Sequence, residues 1–241
     1  MLPVVWLPGL LSTAAVFGGV QAGIPATIPA GVDAWRMSLP QRDDFGAIGA
    51  EIAAGLPARC VLVGHSMGSY LCLDLWRRVP ERIAGMALLS CTAAADSPDG
   101  RAARGKAVRY AQKAGIAALA RAVATQTLGP ATKDDAALVA QLVAMAEEVG
   151  FDVFAGHQTA LAHRPDSTAI LPGITCPVLA VTGSADTVTP PAAGRTLALA
   201  APRAAFHEIE GAGHMLPLEA PGALAALLQP FLTECAQEAA A

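Results

Sequence analysis

Charged residues make up only 15% of the 241 residues, and other absences narrow the field further. Hydrophobic residues reach 54%, yet no run of about 18 uninterrupted apolar residues occurs, so no membrane span is predicted. No Lys or Arg precedes Arg36. The apolar segment Met1–Leu10 therefore lacks the positive start of a signal peptide and reads as a buried strand. No basic stretch dominates and the net charge is −4, which argues against nucleic acid as a partner. The five cysteines are odd in number and widely spaced, with no Cys-x-x-Cys; reduced, buried thiols are expected, and a cytoplasmic location follows as the default. His-Glu-x-x-His is absent, as is Gly-x-Gly-x-x-Gly after a strand, so no metal or dinucleotide cofactor is expected.

What is present is an alternation. Short runs rich in Val and Leu read as strands: Val4–Leu7, a weaker Asp33–Leu39, Cys60–Gly64, Met86–Ser90, Val178–Thr182 and Ala205–Ile209. Near-continuous apolar runs suit parallel strands covered on both faces. Helical patterns lie between them at Phe45–Gly55 (after the Asp43-Asp44 pair), Met67–Arg78, Pro190–Ala200 and Pro221–Cys235. This order predicts an α/β fold with a mostly parallel sheet of about six strands flanked by helices. From about Asp96 to Ile174 the rhythm breaks. Arg101–Lys113, Gly115–Thr127, Asp134–Val149 and Phe151–Ala162 all read as helices, the third behind an approximate capping box of Thr132 and Asp135. Residues 96–174 are thus expected to be a helical lid inserted into a core of 1–95 and 175–241.

Gly64-His65-Ser66-Met67-Gly68 carries the chemistry. It fits Gly-x-Ser-x-Gly with a strand before it and a helix after it, the context of a nucleophile elbow. A serine hydroxyl needs a base. His214, in the glycine-rich Gly211–Met215 after the last strand, is the candidate; His65 reads as a packing or pocket residue, and His157, His163 and His207 are weaker. The base needs an orienting acid. Asp186 follows the Val178–Thr182 strand and gives the chain order Ser, acid, His, with Asp96 in reserve. An oxyanion hole is expected from the N–H groups of Met67 and Leu10, the latter in Pro8-Gly9-Leu10-Leu11. His65, Gly9 and Met215 are expected to contact a small-molecule substrate. Arg101, Arg104, Lys106, Arg109 and Lys113 form a basic helix face, either solvated or facing an anionic substrate.

On Leu7-Pro8-Gly9-Leu10, Val63–Gly68, Thr182–Asp186 and Gly211–His214, the chain resembles the α/β-hydrolase fold family, and specifically its small, lidded esterases, lactonases and thioesterases. The resemblance implies Ser66, Asp186 and His214 as a triad, with Leu10 and Met67 as oxyanion donors. Three departures stand out. Pro8 replaces a common histidine, Ser69 stands where a second glycine is common, and the usual first hairpin is missing. The last predicts an exposed sheet edge near Asp33–Leu39 through which a homodimer can form. The expected function is hydrolysis of a small carboxylic ester, thioester or lactone. Lyase or perhydrolase chemistry on the same triad, and a slow-turnover ligand-binding protein on the same fold, stand as alternatives.

Overall fold

The computed structural model describes residues 2–25 and 30–240, with the backbone alone described over 30–36. Strand β1 (Leu2–Leu7) leads through a short 3-10 turn and helix α1 (Gly18–Ala22) to β2 (Ala30–Arg36). Then follow α2 (Phe45–Gly55), β3 (Cys60–His65), α3 (Met67–Arg78) and β4 (Ile83–Leu89). Four helices come next: α4 (Pro98–Ala114), α5 (Ile116–Thr127), α6 (Ala136–Val149) and α7 (Phe151–Ala162). The chain closes with β5 (Val178–Gly183), α8 (Pro191–Ala200), β6 (Ala204–Ile209), α9 (Leu216–Glu219) and α10 (Pro221–Ala240).

The six strands form one sheet in the order β2-β1-β3-β4-β5-β6, every pair parallel. β2 lies at one edge and starts three residues before the expected segment; expected residues 37–39 lie beyond its end. Side chains alternate across a strand, so β1 sends Val4 and Trp6 to one face and Val5 and Leu7 to the other. The Val5 face packs with Leu62, Met86 and Leu88 against α2, α3 and α8. The Trp6 face packs with Val63, Leu89 and Val181 against α1 and α10. Both faces are covered, which is why the strands read as apolar runs rather than as alternating ones.

Helix starts follow the capping residues. Asp44 accepts from Ala47 N at 2.6 Å, and Ser97 accepts from Gly100 N at 3.1 Å with Pro98 in the first turn. The expected Thr132–Asp135 capping box forms differently: Asp135 itself caps α6, accepting from Ala137 N and Leu138 N at 2.8 and 3.2 Å. Thr132 is engaged elsewhere, with its hydroxyl on Glu219 Oε2 at 2.6 Å. Helices α4–α7 bury a small core of their own, with Ala111, Leu119, Val143 and Phe154 packed around Leu11 of the loop after β1. Among the described residues no helix is long and apolar enough to cross a membrane. All five cysteines are free and buried, and burial pushes the Cys60, Cys91, Cys176 and Cys235 thiols up to about 12.

Candidate active site

β1 and β3 are neighbours, but the chain leaves β1 toward β2 on one side and β3 toward β4 on the other. Such a reversal opens a crevice at the C-terminal ends of the strands. Ser66 stands in it, between the end of β3 and the start of α3, with φ 50° and ψ −113°. A non-glycine residue at such angles costs roughly 1–3 kcal/mol, so the surroundings must impose it. They do so by close packing. A Cβ on Gly68 would lie 1.9 Å from the Leu7 carbonyl oxygen, and one on Gly64 2.5 Å from the Gly68 backbone. Only glycine lets β1, β3 and α3 approach this closely. Ser69, the departure from a second glycine, explains itself here: its hydroxyl donates to Gly64 O at 2.7 Å and accepts from Leu89 N at 3.0 Å, tying the turn to β4. Leu11 and Ser90, both beside the crevice, are the other non-glycine residues with positive φ among those described.

The structure brings Ser66, His214 and Asp186 together. His214 Nε2 lies 3.0 Å from Ser66 Oγ, and His214 Nδ1 lies 2.9 Å from Asp186 Oδ2. Asp186 is 3% exposed. Its Oδ1 accepts from Val188 N and Thr189 N at 2.9 Å each, and its Oδ2 also accepts from the Thr189 hydroxyl at 2.8 Å. Burial pushes this carboxyl up, but the His214 hydrogen bond and charge, with the Thr189 donors, outweigh it and hold the carboxyl down to about 2. An ionised Asp186 must accept, so Nδ1 of His214 carries the proton and Nε2 presents a lone pair to Ser66.

The loop bearing His214 is held at several points. Its backbone N–H donates to Thr127 O, the end of α5, at 2.6 Å. Glu219 Oε2 accepts from Gly213 N at 3.1 Å, Gly129 N at 2.6 Å and the Thr132 hydroxyl. The His214 carbonyl accepts from His65 Nε2 at 2.8 Å and from the Ser90 hydroxyl at 3.2 Å. Thr189, Glu219 and Ser90 are the site residues that the sequence reading missed. Only Thr189 carries a local signal, an Asp-x-x-Thr turn in which the aspartate accepts from the backbone ahead of it; Glu219 and Ser90 act through contacts across the fold.

His65 borders the cavity, where the sequence placed a packing or pocket residue. Its Nε2 is committed to the His214 carbonyl and its Nδ1 is buried without a partner. Burial and the nearby His214 depress it to about 3, so it is neutral. A carbonyl only accepts, so Nε2 holds the proton and Nδ1 is a bare acceptor. Gly9 lies behind His65 rather than on the cavity: a Cβ there would sit 2.9 Å from His65 Nδ1. Met215 does line the cavity. The N–H groups of Leu10 and Met67 have no hydrogen-bond acceptor among the described residues; Met67 follows Ser66 in the chain, and Leu10 lines the same cavity as Ser66. Asp96, the reserve acid, is far from this role, paired instead with Arg104 and Arg164.

The crevice opens into a cavity of about 660 Å³. Ser66, His214 and Leu10 form one wall; Ala107, Leu119, Leu142 and Phe154 of α4–α7 face them. This size takes a small organic molecule. Among the described residues no three His, Cys, Asp or Glu side chains are grouped to hold a metal ion.

A profile described as the alpha/beta hydrolase family matches residues 4–227. A search of curated proteins gives no significant match. Among solved structures, an esterase from Thermogutta terrifontis, with malate bound, superposes with a TM-score of 0.84 at 23% identity, covering 98% of this chain and 90% of the esterase. The enol-lactonase from Burkholderia xenovorans LB400 gives 0.80 at 22% identity, covering 96% and 91%. A hydrolase from Pseudomonas aeruginosa PA01 gives 0.83 at 21% identity, covering 96% and 89%. At these identities the likeness is one of fold.

Proposed function

Because the chain belongs to the α/β-hydrolase family, and is an enzyme of the hydrolase class, we propose that it cleaves small carboxylic esters, thioesters or lactones through an acyl-enzyme on Ser66. The observation that carries this reading is the unbroken chain of hydrogen bonds from Ser66 Oγ through His214 to Asp186, at 3.0 and 2.9 Å. Ser66 Oγ gives its proton to His214 Nε2 as the oxygen attacks the substrate carbonyl. The negative charge moves to the carbonyl oxygen, where the free N–H groups of Leu10 and Met67 and the head of α3 favour it. Collapse breaks the bond to the alcohol or thiol, which takes the proton back from His214. Water then repeats the sequence with His214 as base and frees the acid and Ser66. Asp186 stays ionised throughout and stabilises the imidazolium. Pro8 leaves this arrangement intact, since the oxyanion role is a backbone one supplied by Leu10.

Residues 96–174 act as a lid: α4–α7 furnish the wall facing Ser66, so they shape the acyl pocket and exclude water. Five unpaired thiols fit a reducing compartment such as the cytoplasm. The test is labelling with a fluorophosphonate probe, with mass spectrometry of the adduct. Labelling at Ser66 that disappears in Ser66→Ala and falls at least a hundredfold in rate in His214→Ala is expected. Folded wild-type protein that does not label would overturn the reading.

A further inference from the structure

The cavity holds more positive charge than catalysis at Ser66 uses. Arg104 of α4 and Arg164, just past α7, both line it, with Asp96 between them. Arg104 Nε donates to Asp96 Oδ2 and Arg164 Nη2 to Asp96 Oδ1, the latter at 3.2 Å. Burial pushes Asp96 up, but Arg104 and then Arg164 outweigh it and hold the carboxyl ionised. Asp96 is the only acid lining the cavity among the described residues, so two guanidinium groups meet one carboxylate and the cluster carries a net charge of +1. Asp166, the other acid near Arg164, faces solvent and is occupied by Ala95 N, Thr168 N and the Thr168 hydroxyl.

The donors are also unequally used. Arg104 Nη1 donates to Gln158 Oε1 at 2.9 Å, but its Nη2 has no acceptor among the described residues. Among the described residues Arg164 donates only through Nη2, to Asp96 and to Ala94 O at 2.6 Å. Its Nε is buried and unpartnered, in a residue only 6% exposed. The guanidinium lies 4.1 Å over the Tyr70 ring, whose hydroxyl also has no hydrogen-bond partner among the described residues. Unpaired donors on a buried cation are costly to leave unmatched, and an incoming anion matches them. Tyr70 places this cluster relative to the nucleophile. It lies one turn along α3, its N–H on the Ser66 carbonyl at 3.2 Å, a rise of about 6 Å. The expected basic face of α4 divides accordingly: Arg101, Lys106, Arg109 and Lys113 are exposed, and Arg104 alone turns to the cavity.

We infer that the substrate carries a carboxylate on a short acyl chain, received by Arg104, Arg164 and Tyr70 while its ester carbonyl lies at Ser66; this rests on the hydrolase reading above. The subsite holds the anion without taking part in bond cleavage. The test compares ethyl pentanoate with monoethyl glutarate, in which a carboxylate replaces the terminal methyl of the same acyl chain, alongside fluorophosphonate labelling of Ser66. A kcat/KM at least tenfold higher for the glutarate monoester is expected, since a charge-assisted hydrogen bond is worth on the order of tenfold to a hundredfold. That preference should shrink about tenfold in Arg104→Gln, return in part in Arg104→Lys, and weaken with added salt. Equal rates, or a preference for ethyl pentanoate, in wild-type protein that labels at Ser66 overturn the anion subsite and leave the hydrolase reading standing. Absence of labelling overturns the hydrolase reading first and this inference with it. If Ser66 labels but neither ester turns over, protection decides: glutarate must slow labelling where neutral glutaramide does not, and equal protection refutes the subsite.

Discussion

Replacing Asp186 by Asn changes one atom of the site, and the structure dictates which way round the new amide must sit. Oδ1 accepts two backbone N–H groups, from Val188 and Thr189, at 2.9 Å each. An amide NH2 in that position would face two backbone donors that cannot turn, whereas the Thr189 hydroxyl on Oδ2 can rotate to accept, so the oxygen stays there and the NH2 takes the place of Oδ2. It then points at His214 Nδ1, 2.9 Å away in the wild type. The NH2 is a donor, so Nδ1 must become the acceptor and the ring proton moves to Nε2, against Ser66 Oγ. The base is then capped by its own proton. Forcing the productive tautomer back leaves two donors facing each other, roughly 1–3 kcal/mol for each group, and the imidazolium has lost its counter-charge. Together these amount to about 3–6 kcal/mol, a fall of about 10²–10⁴ in kcat. The Asp186 turn survives in Asp186→Asn, so its melting temperature should stay within a few degrees of the wild type. Asp186→Ala loses those bonds as well and should melt lower. Stopped-time labelling by the fluorophosphonate, together with long-range ¹H–¹⁵N spectra of the His214 ring, reads both effects. An Asn variant labelling within tenfold of the wild type, or with the proton still on Nδ1, would refute the reasoning.

Three further outcomes are expected. The folded pKa of His65 is depressed to about 3, against about 6.5 unfolded. The unfolded chain therefore binds a proton that the folded one refuses, and the stability tied to a neutral His65, complete above pH 6.5, is lost as pH falls toward 3 at about 1.4 kcal/mol per pH unit. Urea titrations of wild type and His65→Asn at pH 7.5 and 5.5 should show a smaller acid loss in the variant; an unchanged difference refutes this. Glu219→Ala removes the acceptor shared by Gly129, Gly213 and Thr132, so it should lower stability by about 2–4 kcal/mol and slow Ser66 labelling. Glu219→Gln, which keeps one oxygen there, should recover part of both, as melting curves and labelling rates will show. Gly68→Ala drives a Cβ to 1.9 Å from Leu7 O; soluble protein with wild-type melting would contradict the packing account of the strained serine.

What was legible in the sequence was what depends on local chemistry. Met67–Arg78 is found at the residues expected, because the elbow glycines fix its start and Val79-Pro80 its end. The buried strands are found within a few residues of expectation, since a sheet covered on both faces demands continuous apolar runs. The elbow serine, the histidine loop and the acid after β5 could each be singled out because each follows a strand end. What stayed hidden depends on contacts between distant segments. His65 lies next to Ser66 in sequence, yet its hydrogen bond is to the His214 carbonyl, 149 residues away. Asp96 reads like any loop acid until Arg104 and Arg164 are seen to converge on it from different elements. Arg104 reads as one of five cations on a helix face, and only the packing of α4 over the cavity separates it from the other four.

The helices between β4 and β5 do more than cover the cavity. The end of α5 supplies the carbonyl of Thr127 that receives the His214 N–H, and the α5–α6 connection supplies Gly129 and Thr132 to the Glu219 carboxylate that also holds Gly213. The loop bearing His214 is thus held from the core by His65, Ser90 and Glu219 and from the helical segment by Thr127, with Glu219 also tying Gly129 and Thr132 to it. A loop fixed from only one side could swing by the ångström that separates a working base from an idle one. The same helices that line the cavity opposite Ser66 therefore also fix the position of His214.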